Sequence, residues 1–85
     1  MKRIIFGKNK NIIFKKLKEY RIKNNMTQGE LAAKMQLFNV NIDQQMISKI
    51  ERNDRIVTDY ELYCFCRILQ VECKDLFDDS ICIEL

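Results

Sequence analysis

Histidine and proline are absent from this chain, and glycine occurs only at Gly7 and Gly29. Without histidine there is no imidazole to act as a general base near neutral pH. A zinc site would need the sulfur of all four cysteines. Their spacing argues against one. Cys64 and Cys66 are two residues apart, so on a helix they point about 200° from each other, and Cys73 and Cys82 complete no C-x-x-C pair. The cysteines therefore read as reduced structural thiols, with a redox role as the alternative. Two isolated glycines make no glycine-rich phosphate loop, and no carboxylate cluster suggests a pocket; Asp54, Asp59 and Glu61 fall at turn and cap positions. The expectation is a protein that is not an enzyme and has no metal or cofactor.

Long apolar runs are also missing. None approaches the roughly 18 to 20 residues that span a bilayer, and the basic N-terminus lacks the continuous apolar core of a signal peptide. The chain reads as soluble and cytoplasmic, and as a complete small protein opening at Met1. At 85 residues it is one domain, able to bury about 60 % of its unfolded surface around a single core. Lys, Glu, Leu, Ile and Gln between apolar positions, with no proline, favour helices joined by short turns over a β-sandwich. No internal repeat or low-complexity segment is present.

Charge is distributed unevenly. Lys2, Arg3, Lys8, Lys10, Lys15, Lys16, Lys18, Arg21 and Lys23 face a single acid, Glu19, within the first 23 residues, and the remainder is net acidic. Such asymmetry points to a surface that meets a polyanion, nucleic acid before anionic membrane. A solvated helix face with a free arm is the plainer reading. The stripe Ile13, Phe14, Leu17 and Tyr20 is too narrow for a membrane-lying helix and suits a protein core.

Five helices are expected. The first starts near Ile12 or Ile13 with Asn11 as its cap and ends at "KNN", residues 23–25. Thr27 and Glu30 form a capping box for the second, whose inward face is Leu31, Ala32 and Met35. The segment "LFNVNI" is too apolar for an ordinary loop; it is expected to extend the second helix or enlarge the turn, with reversal at Asn39–Asn41. Asp43 caps a third helix through Arg52 that buries Met46, Ile47 and Ile50 and turns Gln44, Gln45, Ser48, Lys49 and Arg52 outward. Thr58 and Glu61 form a second capping box, opening a fourth helix with the stripe Leu62, Phe65, Cys66 and Leu69. A short fifth helix lies within "VECKDLF", residues 71–77. The apolar ends "RIIF" and "ICIEL" are candidates for short terminal strands. These elements divide the chain into a basic arm (1–11), a helical domain (12–78) and an apolar tail (79–85).

The neighbouring glutamines in "NIDQQMISKIERNDR" are unexplained by core packing. They become intelligible through a resemblance carried by "YRIKNNMTQGELAAKM", "MISKIERNDR" and "LYCFCRILQVECKDLF". In this order, from about Leu17 to Phe77, these segments resemble the Cro and phage-repressor (Xre) class of helix-turn-helix proteins. The resemblance implies an all-α, compact five-helix lambda-repressor-like domain that binds double-stranded DNA as a homodimer. In that setting the third helix enters the major groove, where a glutamine can offer both a donor and an acceptor to adenine. Gln44, Gln45 and Lys49 are thus the candidates for base contacts, and Gln28, Ser48, Arg52, Asn53 and Arg55 for phosphate contacts. Arg21 and Glu51 match a family pair that ties the first and third helices together.

The chain departs from the family pattern in three places. The connection between the second and third helices is about five residues longer than usual; the glycine after the third helix is Asn53; and the glycine of the closing L-G-V is Gln70. The function implied is a sequence-specific transcriptional regulator, a repressor first. The alternative is a protein-interaction module, an antitoxin or anti-repressor, motivated by "LFNVNI" and the apolar C-terminus.

Overall fold

Thr27 and Thr58 each accept a hydrogen bond from the backbone N–H three residues on (3.0 and 3.3 Å), while Glu30 and Glu61 reach back to the threonine N–H (2.9 and 3.0 Å). Both capping boxes are therefore closed. They open two of the five helices in the computed structural model, which describes residues 7–78. The helices are α1 (Phe14–Lys23), α2 (Gln28–Leu37), α3 (Gln44–Glu51), α4 (Asp59–Leu69) and α5 (Cys73–Leu76). No strand occurs among the described residues, and the two segments considered for terminal strands lie outside them.

The first helix begins one or two residues later than the sequence suggests. Asn11 accepts from the Ile13 N–H at 3.0 Å but stands before the helix, where its amide also serves another part of the fold. The third ends at Glu51, with Arg52 as its C-cap.

Glycine's scarcity is met by other residues at the helix ends. Asn25, Asn39 and Asn53 have φ near +60° (56°, 62° and 62°), and Gln70 joins them at 58°. After α1, α2 and α3 the two bonds of a Schellman turn form on either side of the asparagine: Met26 N to Arg21 O, Val40 N to Met35 O and Asp54 N to Lys49 O are the outer ones. Asparagine tolerates this left-handed region because its short amide can bond locally.

The connection after α2 divides its apolar residues between two environments. Val40 and Ile42 are buried in the core, held by the Schellman turn and by a bond from Gln36 Nε2 to Ile42 O (3.1 Å), whereas Leu37 and Phe38 remain 83 % and 47 % exposed. The added length thus functions partly as core.

Leu17, Leu31, Met35, Ile42, Ile47, Ile50, Phe65 and Leu76 are fully buried, each contributing roughly 1.5 to 3 kcal/mol of burial. Helix α3 packs against both α2 and α1, and α5 closes the bundle against α1 and α4. Ala32 is buried on the face of α2, where a side chain no larger than methyl permits close helix approach.

Candidate nucleic-acid interface

Helix α3 is fixed from behind and open in front. Asp43 accepts from the Met46 N–H at 2.8 Å, which starts the helix firmly, and Ile47 and Ile50 are fully buried on its inner side. On the other side Gln44, Gln45, Lys49 and Arg52 are exposed and Ser48 is half-buried. The Gln44 amide leans over the first turn of α2: a methyl group built on Gly29 would meet Gln44 Oε1 at 3.5 Å. The two helices of the pair therefore touch at their N-terminal ends, next to the exposed glutamines.

Beneath this face lies an ionic junction. Arg21 donates from Nε and Nη2 to the two oxygens of Glu51 (2.7 and 3.0 Å) and from Nη1 to Met26 O (2.8 Å). Gln28 Nε2 adds a bond to Glu51 Oε1 at 3.1 Å, and the Glu51 side chain is only 3 % exposed. One carboxylate on α3 thus joins the end of α1 and the start of α2. Gln28, expected at a phosphate, has its side chain directed to Glu51, and it stands as the first residue of α2, where a helix N-terminus favours anions.

Two further residues expected at phosphates, both half-buried, make bonds within the protein. The Arg55 guanidinium grips Glu61 with two bonds, 2.9 and 3.0 Å, and donates to Ile56 O. Burial alone would raise the Glu61 carboxyl, but the hydrogen bonds from Arg55 and the Thr58 N–H hold it below the usual carboxylate range; the same contact raises Arg55 further. Glu61 is thus a core anchor as well as a cap. Its position four residues before Phe65, on the buried stripe of α4, was the available sequence signal.

Asn53 is also engaged. Its Oδ1 accepts from the N–H groups of Lys10 (2.9 Å) and Asn11 (3.2 Å), and its Nδ2 donates to Asn9 Oδ1 (2.6 Å). Asn11 returns the contact, donating from Nδ2 to the carbonyls of Ile50 (3.1 Å) and Arg55 (3.0 Å). Sequence reasoning gave Asn9 no role, and nothing in its local context signals one. Arg52 lies at the surface, 3.7 Å from Asp54.

What the interface offers is therefore amide and ammonium groups on a rigid helix, Gln44, Gln45 and Lys49, with Arg52 beside them. No group of His, Cys, Asp and Glu able to hold a metal ion occurs among the described residues, and no helix there is long and apolar enough to cross a membrane. No characterised protein and no solved structure gives a match to the chain. A family profile described as helix-turn-helix does match, over residues 17–76. That span contains the capped α2, the glutamine-bearing α3 and the Arg21–Glu51 junction that ties α1 to α3, and by this match the chain belongs to the Xre/Cro-like helix-turn-helix family of DNA-binding proteins.

Proposed function

We propose that the protein is a sequence-specific transcriptional regulator, a repressor that occupies a two-fold operator as a homodimer in the cytoplasm. The observation that carries this reading is the exposed row Gln44, Gln45 and Lys49 on a helix whose opposite side is locked by Ile47 and Ile50. Gln44 and Gln45 read base edges, with adenine N6 and N7 as natural partners, and Lys49 extends the reading or takes a nearby phosphate. Ser48, Arg52 and the N–H groups at the start of α2 hold the backbone. The side chains of Gln28, Asn53 and Arg55 set the positions of these elements. Residues 12–78 act as the binding domain and 1–11 as a basic arm.

Selection from a randomised duplex pool, followed by sequencing and anisotropy titration at two salt concentrations, tests this. The expected result is an enriched two-fold motif, with Gln44→Ala/Gln45→Ala losing about 1 to 3 kcal/mol of discrimination at the affected bases. Binding without enrichment, unchanged in the double variant, would leave only phosphate attraction and would remove base reading by α3.

The exposed pair Leu37 and Phe38 favours a second reading, a protein-interaction module such as an antitoxin or anti-repressor. Stoichiometric capture of one protein from the source cell, lost in Leu37→Ser/Phe38→Ser, supports it.

A further inference from the structure

The arm before α1 is tied to the end of α3. Three asparagines make the connection, with Asn53 holding the backbone of Lys10 and Asn11 and the side chain of Asn9, while Asn11 holds the carbonyls of Ile50 and Arg55. These contacts link positions 39 to 44 residues apart in sequence, so they are not part of a local turn. Asn53 follows the C-cap of α3 and is itself the left-handed residue that closes the helix. Fixing a segment of backbone costs conformational entropy of about 1 to 2 kcal/mol per residue, and the bonds offset it here for residues that contribute little to the core.

The clasp sets two cations beside the exposed end of α3. Lys8 and Lys10 are exposed, and the Lys10 backbone N–H donates to the Asn53 side chain, in the turn that follows Lys49 and the C-cap Arg52 at the end of α3. Arg55, the other cation of that turn, is occupied by Glu61. The surface at this end of α3 therefore carries Lys8, Lys10, Lys49 and Arg52, with Asp54 as the nearby acid.

We propose that the Asn9–Asn11–Asn53 clasp is a positioning device that holds Lys8 and Lys10 as fixed DNA-phosphate contacts alongside the C-terminal end of the recognition helix. The inference rests on the DNA-binding reading and adds a second phosphate site to it, outside the span matched by the family profile. A tethered lysine pays less ordering entropy on binding than one on a free arm. Each phosphate it neutralises releases about 0.9 of a counterion and steepens the salt dependence accordingly.

The test uses the full chain and a fluorescein-labelled mixed-sequence duplex two helical turns long, so no operator need be known. Binding is titrated across a salt series for the wild type, Asn53→Gly, Lys8→Ala/Lys10→Ala and the triple variant. Glycine keeps the positive φ of residue 53 and removes only the amide. The lysine variant should lower the slope of log K against log salt by about 2. Asn53→Gly should by itself show most of that loss of slope, and should add nothing in the lysine-free background. In the free protein, amide exchange at Lys10 and Asn11 should be slowed in the wild type and fast in Asn53→Gly. An unchanged slope in Lys8→Ala/Lys10→Ala overturns the proposal and leaves the DNA-binding reading intact. A normal slope in Asn53→Gly, with the lysine variant reduced, overturns it too, because the lysines then reach DNA unaided. Equal amide exchange in both proteins removes the clasp itself. Wild-type protein that binds no duplex at any salt defeats the DNA-binding reading and this proposal together.

Discussion

A carboxylate that accepts three hydrogen bonds and is almost out of contact with water cannot lose its partner cheaply. Glu51 is such a group, and Arg21→Met should cost roughly 3 to 5 kcal/mol by urea denaturation because it leaves a buried charge unpaired. Gln28→Ala, which removes one of three donors, should cost less, about 1.5 to 3 kcal/mol. Glu61 makes a pH-dependent contribution. Its folded-state carboxyl is held below its ordinary value, so its stabilisation is complete above the unfolded value of about 4.3 and is lost as pH falls through the folded one. The stability gap between wild type and Glu61→Gln should therefore be wide at neutral pH and close as pH drops below about 4. A gap that stays constant down to strong acid would show that the Arg55 contact does not hold the charge. Among the described cysteines, Cys66 is buried and donates to Cys73 at 3.1 Å; burial first, and that contact second, push its thiol up to about 12. Exposed Cys73 should alkylate in the native protein well before Cys64 or Cys66, as read by peptide mapping.

The helices themselves were legible from sequence where their determinants are local. Thr27 with Glu30, and Thr58 with Glu61, lie three residues apart and satisfy each other within one turn. The period of Leu31, Met35, Ile47, Ile50, Phe65 and Leu69 marks the inner faces for the same reason. Contacts made across the fold were harder to read. Arg55 looks like a phosphate ligand until the fold brings it onto Glu61, and Asn53 looks like a surface turn residue until Asn9–Asn11 pass beside it. The segment "LFNVNI" was legible as unusual, yet composition does not tell which of its apolar residues go inward; Asn39, by reversing the chain, sends Val40 and Ile42 in and leaves Leu37 and Phe38 out. Gln70 adopts φ 58° with neither a glycine's freedom nor an asparagine's short amide. Gln70→Gly should stabilise the protein by about 1 kcal/mol, read as a higher urea midpoint at unchanged slope.

For the molecule as a whole, the fourth helix and the segment leading into it present an exposed apolar and aromatic surface. Ile56, Tyr60 and Tyr63 stay exposed, and Arg67 lies against the Tyr63 ring, 5.9 Å from its centroid. If two copies meet through this part of α4, Tyr60→Lys/Tyr63→Lys should sediment as a monomer. Its affinity for a two-fold site should fall about a hundredfold, since the two half-sites would no longer be bound as one unit. Secondary structure by circular dichroism should be unchanged. A variant that remains dimeric would move the interface elsewhere.

Asn53 closes the third helix and holds the N-terminal segment with the same side chain. The two demands rank the amino acids differently. Glycine is the better residue for the left-handed turn, and it is what the family pattern carries there, but it has no amide to offer Asn9, Lys10 and Asn11. In relatives that begin directly at the first helix, drift at this position should run freely to glycine. In lineages that keep a lysine-bearing extension, asparagine should persist and change together with residues 9 and 11, so that the three positions evolve as one character.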